Sequence, residues 1–483
     1  MMLLLALFHG FWLSLFGHSV SDTSQYIRVR QVTFTGNYRT REHIIRREMD
    51  VRTGDVLTAQ RLDSLLEFDR RKILNTNLFV TVELKRKTID SDTTGMAFYT
   101  ADGKLITTPQ TVDLEVVVKE QWYLLAFPVF ELADRNFNEW WYERGRDLSR
   151  TIYGTYILHQ NLTGNNDRLR LRAEFGFIPR LDLYYSRPYL GKKQKLGMTV
   201  GMIRLTNRTL PYRTRADKLI FFPSDSRVRE RLNPYVTFTY RPRFYGFHSI
   251  TAQYSHTTLS DTVARLNPNY FLEGRRQQRY FQLSYSHFFD RRDRVQYPLR
   301  GFYYGIVFSR LGLFSSDDVQ QWEATANSGQ YFSLGKKLFF SYSLKAKTSS
   351  PFLQPFLQTR GLGYGTDLVR GYELYVIDGQ HFALAKTNLR YQLLNRTFNL
   401  SKFIKMRQFN TFPLAIYPNI YADFGYTRNQ YSSLNNSTLA NRPLMGVGIG
   451  LDVVTWYNFV GRLNYSVNHL GEARPYFSIG REF

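Results

Sequence analysis

Apolar and polar residues alternate in short runs along most of the chain after Gln121. In residues 168–175 the even positions are charged and the odd positions are apolar, and in residues 445–453 the even positions are mainly glycine. A period of two predicts strands with one face toward lipid and the other toward water, and a glycine face permits close approach of another backbone or a loop. Similar runs occupy residues 250–256, 280–286, 463–467 and 477–483.

The runs from Trp122 to the end predict about 16 antiparallel strands, an even number typical of a bacterial transmembrane barrel. Short turns at residues 163–166, 191–193, 334–337 and 456–458 alternate with longer loops such as 207–227 and 260–277. Short turns are expected on the periplasmic side. The connection 395–413 is a long exception on that side, and we expect no helix in the barrel region, residues 121–483.

The N-terminal pattern is different. Residues 26–35 predict a strand, residues 39–49 and 59–74 two helices, and residues 79–87 and 111–119 two further strands. The order β-α-α-β-β describes a small α+β domain over residues 26–119, with an insert at 88–110 that is either an extended hairpin or a loop. Before it, an apolar run ending in small residues predicts a secretory signal over residues 1–21. Because no Lys or Arg precedes that run, a short membrane anchor is the alternative.

The amino-acid composition of the chain further limits the classes of protein to which it can belong. The chain has 483 residues, 38 Phe, 34 Tyr, no Cys and a net charge of +24. Without Cys there is no disulfide framework and no thiolate metal site. The aromatic excess favours the girdles of an outer-membrane barrel, so outer-membrane lipid is an expected partner. Arginines occur at alternate strand positions and not in one basic block, so we expect no nucleic acid partner.

One long segment, residues 350–380, separates two predicted strands and carries many large apolar side chains. A connection of this length is usually functional or disordered, and its apolar content argues against a solvated linker. We therefore predict a loop folded into the barrel lumen between roughly strands 11 and 12. Arg370 in this loop would be held off bulk water and needs a carboxylate partner.

These features together resemble the BamA/TamA family of outer-membrane assembly and translocation proteins, and the N-terminal part resembles its polypeptide-transport-associated (POTRA) domain, with Gly36-Asn37 after the first strand. The resemblance identifies the lumen-loop motif, consisting of Val369, Arg370, Gly371, Tyr372 and Glu373. It also implies that Arg370 contacts an inward Asp. The candidate is Asp423, followed by Gly425, because alternation turns both toward the lumen. Alternatively, Arg370 binds loop carbonyls and Asp423 pairs with another Arg.

Two further stretches resemble the family. A turn between middle strands carries Asp290, Arg292, Asp293, Pro298 and Gly301. The chain ends on an aromatic residue, as in the insertion signal of outer-membrane barrels, which is represented here by Phe477, Ile479 and Phe483. Arg481 departs from that signal, since the equivalent position is usually apolar; near the membrane edge it would snorkel.

No catalytic motif is present, so we expect neither an enzyme nor a cofactor or metal. The resemblance implies an outer-membrane insertase or translocase that acts on unfolded outer-membrane or surface proteins, with periplasmic chaperones or accessory lipoproteins as further partners. A weak seam between the first strand (122–132) and the last (474–483) would open, and a POTRA edge at 80–87 would receive client strands. The alternatives are a passive channel or surface-binding barrel, and lipid or lipoprotein transport on the same scaffold.

Overall fold

A computed structural model describes residues 26–89, 98–99, 105–106, 110–191, 195–242, 245–399, 402, 411–455 and 459–480. The chain divides into two compact units, residues 1–121 and 122–483. The predicted signal peptide and Phe483 lie outside the described residues.

The N-terminal unit is a four-stranded sheet with two helices. Its elements are β1 (Tyr26–Thr35), α1 (Glu42–Arg46), β2 (Val56–Thr58), α2 (Ala59–Leu74), β3 (Phe79–Ile89), β4 (Phe98–Tyr99), β5 (Leu105–Ile106) and β6 (Gln110–Glu120). The sheet order is β2-β1-β6-β3, and β1 runs parallel to β6. The side chain of Thr58 accepts a hydrogen bond from the backbone N–H of Arg61 and so caps α2, which buries Leu62, Leu66 and Ile73.

The predicted β-α-α-β-β order is present, with the short β2 added between the helices. The first helix is shorter than predicted, since it covers only Glu42–Arg46. Within the insert, β4 and β5 pair as an antiparallel hairpin, and the remaining insert residues from 90 to 109 lie outside the described part of the chain. β3 forms one edge of the four-stranded sheet.

The second unit is a closed antiparallel barrel. Its strands and helices are β7 (Leu124–Leu132), α3 (Phe137–Glu143), β8 (Thr151–Gln160), β9 (Arg168–Gly176), β10 (Arg180–Leu190), β11 (Leu196–Asn207), β12 (Leu210–Arg215), β13 (Lys218–Phe222), β14 (Arg229–Tyr240), β15 (Gly246–Leu259), α4 (Asp261–Leu266), β16 (Gln277–Asp290), β17 (Gly301–Leu311), β18 (Gln321–Ser333), β19 (Leu338–Ser350), β20 (His381–Tyr391), β21 (Leu394–Asn399), β22 (Thr411–Arg428), β23 (Pro443–Val454), β24 (Val460–Asn468) and β25 (Ala473–Ile479).

The ring contains every strand from β7 to β25 except the separate hairpin β12–β13. β20 and β21 both pair with β22, over its second and first halves respectively, and therefore form one interrupted barrel strand. Counted in this way, the 17 strand segments of the ring make 16 strands, which confirms the sequence prediction. The loop at residues 350–380 joins β19 to β20, the eleventh and twelfth of these strands.

The structure revises two predicted connections and contradicts the expectation of no helix in the barrel region. The long exception at 395–413 starts later and ends earlier than predicted, because β21 pairs with the start of β22 from Leu394↔Ile416 to Asn399↔Thr411. The loop 207–227 contains the hairpin β12–β13. The barrel region also has two short helices, α3 and α4. Helices of six or seven residues span fewer than two turns of 3.6 residues, so they leave too few apolar positions for a periodic pattern.

The side chains of the barrel strands alternate between the outer and the inner face, as predicted. On β9, Leu169 and Phe175 are exposed on the outer face, whereas Glu174 is buried on the inner face. On β22, Ile420 and Phe424 are exposed and Tyr421 is buried. None of the helices in the described residues has the length and apolar character needed to cross a membrane.

Candidate functional site: the lumen loop and the seam

The loop between β19 and β20 is a packed element. Its apolar residues form one buried cluster with the surrounding wall, composed of Leu362, Val369, Tyr372, Ile377, Phe382, Leu384, Leu439, Ala440 and Leu444. At its base the backbones of Leu362 and Ile377 exchange hydrogen bonds of 3.0 and 2.8 Å. The apolar residues that argued against a solvated linker are therefore the ones that anchor the loop to the barrel.

Arg370 lies at the centre of a buried polar network. Its Nε donates to Asp423 Oδ2 at 2.8 Å, its Nη2 to Asp423 Oδ1 at 2.5 Å, and its backbone N–H to Asp423 Oδ2 at 3.1 Å. The remaining guanidinium donors reach Asn388 Oδ1 at 2.7 Å and the carbonyl of Thr387 at 3.1 Å. The guanidinium carbon also lies 3.7 Å from the centre of the Tyr421 ring. The structure thus places the predicted Arg and Asp together and adds three partners.

The pair is held away from water, since Arg370 is 5% exposed and Asp423 is 0% exposed. Two charges in such a place are retained only when the geometry is good and the other donors are satisfied. Both conditions hold here, because the Arg–carboxylate contact is bidentate and Asn388 takes a further guanidinium N–H. The loop tip is therefore fixed by a directional contact as well as by apolar packing.

Glycines on the wall allow the tip to approach this closely. A Cβ at Gly446 would lie 1.8 Å from the backbone oxygen of Arg370, and one at Gly425 would lie 2.5 Å from Val369. Gly371 has φ of 96°, in the left-handed region that favours glycine. The glycine face of β23 that the sequence predicted thus receives the loop backbone at Gly446.

The other motif residues point in different directions. Val369 belongs to the apolar cluster, and the Tyr372 hydroxyl contacts the His469 ring. Glu373 folds back so that its Oε2 accepts a hydrogen bond of 2.8 Å from the Gly371 N–H. Burial raises the pKa of Glu373 to about 8, and the charge of Asp423 acts in the same direction. The tip therefore contains a carboxyl group whose pKa lies well above that of an exposed glutamate.

The turn between β16 and β17 closes on itself. Asp290 pairs with Arg292 at 2.6 Å, and the side chain of Asp293 accepts N–H groups of Leu299 and Arg300 at 3.0 and 3.2 Å. Gly301 has φ of 95°, and a Cβ there would meet a backbone oxygen at 2.2 Å. The motif residues therefore shape this turn.

The same turn carries a side chain into the barrel. Tyr297 is buried next to Pro298, and its hydroxyl donates to Asp452 Oδ2 at 2.8 Å. Its ring lies 5.0 Å from that of Tyr417, within an apolar cluster that also includes Phe339. Sequence reasoning missed Tyr297, although a large aromatic between charged turn residues was a signal for it.

The seam between the last and first strands differs from the rest of the ring. The strand order places β25 beside β7. The other neighbouring strands of the ring pair over six or more residue pairs. The shortest register, between β21 and β22, runs from Leu394↔Ile416 to Asn399↔Thr411. β25 and β7 are also hydrogen-bonded neighbours in the closed ring, but at Phe477 the partner of β25 is a side chain.

Helix α3 lies against the edge of β25 that is not paired with β24. The Asn138 side chain, in a residue 3% exposed, donates to the carbonyl of Phe477 at 3.1 Å and accepts the Phe477 N–H at 3.0 Å. The Tyr142 hydroxyl donates to the carbonyl of Pro475 at 3.0 Å, and the Phe137 ring packs edge-on against Phe477 at 5.6 Å. One side-chain amide thus makes the two hydrogen bonds that a neighbouring strand would make.

Of the predicted insertion signal, Phe477 lies in this contact and Ile479 is exposed on the outer face. Between the seam and the loop tip lies a cavity of about 530 Å³, lined by Asn138, Arg370, Glu373, Arg462 and Tyr476 among others. Within the described ranges, no group of His, Asp or Glu side chains is arranged to hold a metal ion.

Comparisons with known proteins agree with this architecture. A family model described as POTRA, surface antigen variable number repeat, matches residues 27–121, and the Omp85 superfamily domain model matches residues 161–483. The chain belongs to the Omp85 superfamily. Its 16-stranded barrel and POTRA domain are consistent with a BamA/TamA-type member. No curated protein matches the chain.

Solved structures of this superfamily share the fold. BamA from Haemophilus ducreyi lacking POTRA domains 1-3 superposes with a TM-score of 0.57 at 16% identity, covering 94% of this chain and 84% of that one. CdiB from Acinetobacter baumannii superposes with a TM-score of 0.50 at 12% identity, covering 94% and 74%. At these identities the likeness concerns the fold alone.

Proposed function

We propose that this protein inserts or exports outer-membrane or surface proteins, with its barrel in the outer membrane and its POTRA domain in the periplasm. The observation that carries the proposal is the seam. A strand edge in lipid must have its backbone groups paired, since each unpaired group costs several kcal/mol. On β25 that requirement is met at Phe477 by the Asn138 side chain.

A side-chain partner is easier to replace than a strand. Releasing Asn138 exposes one N–H and one C=O, whereas separating an adjacent pair such as β24 and β25 breaks a register of seven residue pairs. A client strand that paired along β25 would restore the hydrogen bonds at once. We therefore infer that the ring opens at the seam, where a side chain and not a strand pairs with Phe477, and the edge so exposed suits an unfolded strand.

The remaining features fit this role. The Arg370–Asp423 pair and the apolar cluster hold the loop against the wall, so the barrel keeps its shape while the seam opens. In the POTRA unit, β3 lies at a sheet edge and would receive client or partner strands by adding them to the sheet. Periplasmic chaperones and accessory lipoproteins are the expected further partners, and no enzymatic step is required.

A reversible cross-link tests the proposal. Because the chain has no Cys, cysteines introduced at Asn138 and Phe477 would be its only thiols. The matched control places cysteines at Leu463 and Phe477, which face each other on β24 and β25. Phe477 directs its backbone N–H and C=O toward Asn138, so Leu463↔Phe477 is the close, non-hydrogen-bonded type of pair that a disulfide can bridge.

In cells depleted of the native protein, the seam-locked variant should lose outer-membrane or surface protein clients under oxidising conditions and regain them with reductant. The control and the single-cysteine variants should support normal client levels throughout. If the locked variant supports normal clients, the insertase proposal fails. If clients are unaffected but solute uptake depends on the protein, the passive channel is the better description.

A further inference from the structure

A second polar region lies on the inner wall, away from the loop tip. Arg231 on β14 is next to Arg229, whose guanidinium donates to Asn207 at 2.8 Å and to the Tyr270 hydroxyl at 2.9 Å. The charged side chains whose fields act on Arg231 are those of Arg229 and Arg360, and all three are cations. In the described part of the chain, neither Arg231 nor Arg360 forms an ion pair, and the buried Arg231 Nε has no hydrogen-bond partner.

Neighbouring amides are also incompletely bonded. Arg231, Thr257 and Gln278 face one another in register across β14, β15 and β16. Gln278 is 1% exposed; its Oε1 accepts a hydrogen bond of 3.2 Å from Gln358 in the lumen loop, but among the described residues neither its Nε2 nor Oε1 of Gln358 has a partner. The site therefore offers a guanidinium edge and an amide N–H without an acceptor, on three adjacent strands roughly 4.8 Å apart.

A charge without a compensating partner is unfavourable where it is partly buried, as at Arg231, and orphaned buried donors call for an ion or ordered water. Three cations face a single nearby carboxylate, that of Asp378 in the field of Arg360, and the remaining positive excess favours an anion over water. We propose that Arg231, Gln278 and Arg360 form an oxyanion site that binds a phosphate group. A guanidinium matches two phosphate oxygens in a bidentate contact, and a phosphate monoester carries about −1.5 to −2 charges near neutral pH, which offsets most of the local excess.

The position of the site lets an anion enter from solvent and determines which parts of the barrel a bound anion would join. Arg360 is exposed and stacks its guanidinium 5.2 Å from the Tyr364 ring, so one side of the site opens to solvent. Gln358 and Arg360 belong to the base of the lumen loop, whereas Arg231 and Gln278 belong to the wall. A bound phosphate would therefore join loop and wall at a second point, independently of the Arg370–Asp423 pair and of the proposed function.

The test uses the purified full chain in nonionic detergent with chloride as the only other anion. Calorimetric titration with inorganic phosphate forms one arm, and titration with micelles containing short-chain phosphatidic acid forms the other. Arg231→Met should weaken binding at least about tenfold, as expected for loss of a charge-assisted contact. The matched control is Arg204→Met, because Arg204 lies on the adjacent strand, faces outward and pairs with Glu230.

A thermal melt separates this role from a merely structural one. Without phosphate, Arg231→Met should be no less stable than the wild type, because it removes an unpaired buried charge; with phosphate, only the wild type and the Arg204 control should gain stability. Gln278→Leu, which keeps the charge, should also weaken binding. Tighter binding in the phosphatidic acid arm would assign the site to a lipid headgroup, and binding of inorganic phosphate alone would assign it to the free ion. No binding in either arm, or equal binding by Arg231→Met, overturns the proposal.

Discussion

The loop tip should detach when either member of the Arg370–Asp423 pair is removed. Asp423→Asn removes the carboxylate from the buried Arg370 guanidinium and leaves neutral acceptors such as Asn388 and the Thr387 carbonyl. Arg370→Met leaves the Asp423 carboxylate with the backbone N–H as its only contact from residue 370. Because neither residue is more than 5% exposed, solvent screens the loss poorly, and we expect each change to cost about 3–5 kcal/mol of loop docking.

Hydrogen exchange of the amides of residues 369–373, in the intact barrel, measures this quantity directly as the free energy of local opening. The double variant Arg370→Met/Asp423→Asn should cost less than the sum of the single variants by about 2–3 kcal/mol, because it removes both charges together. Gel mobility of the unheated protein verifies that each variant still forms a barrel.

Lys345→Met is the matched control for the same loop, because Lys345 on β19 pairs with Asp367 in the loop. The Lys345–Asp367 pair is 2.6 Å long, but its side chains are 31% and 24% exposed, so its loss should cost no more than about 1 kcal/mol. Two results would refute the view that a buried, coupled pair fixes the tip. One is that each single variant at Arg370 and Asp423 loses less free energy of loop docking than this control, and the other is that the effects of the two single variants simply add.

Three other predictions concern the same barrel. The free energy of loop docking should fall as the pH rises toward about 8 and level off above it, because between about pH 4.5 and 8 only the docked state keeps the proton on Glu373. Glu373→Gln should remove this dependence in exchange profiles from pH 6 to 9. Gly446→Val should increase protease cleavage of the loop, since its Cβ would overlap a loop carbonyl, whereas Gly335→Ala, in open space, should have no effect. Tyr297→Phe should lower the free energy of local opening at residues 291–300 by roughly 1.5–3 kcal/mol, because it removes a hydrogen bond to the charged Asp452, and hydrogen exchange there should be faster. Unchanged exchange would mean that packing alone holds the turn.

Much of the fold could be predicted from local patterns. Alternation identified the faces of β9, β22 and β23 because side chains on a strand point to opposite sides with a period of two. The same rule turned Asp423 and Gly425 toward the lumen, and the apolar content of residues 350–380 excluded a solvated linker. The β-α-α-β-β order of the N-terminal unit followed from the change of period from two to about 3.6.

The connections were harder to predict. The hairpin extension formed by β21 and β22 was taken for a loop, because its outer positions alternate poorly and include Asn395, Arg396 and Pro413. Helix α3 was missed because seven residues rich in aromatics do not display a helical period. A strand register or a short helix of this kind depends on neighbours that are distant in sequence.

The sequence by itself determined which side chains enter the lumen, which segment folds into it and where the wall must be glycine. Only the tertiary structure decided what those side chains meet: Asn388 and Tyr421 around Arg370, Asp452 beneath Tyr297, and Asn138 on the edge of β25. The physical reason is that a period of two specifies a face, whereas contacts across the lumen depend on strand number, register and loop path, which are properties of the closed ring as a whole.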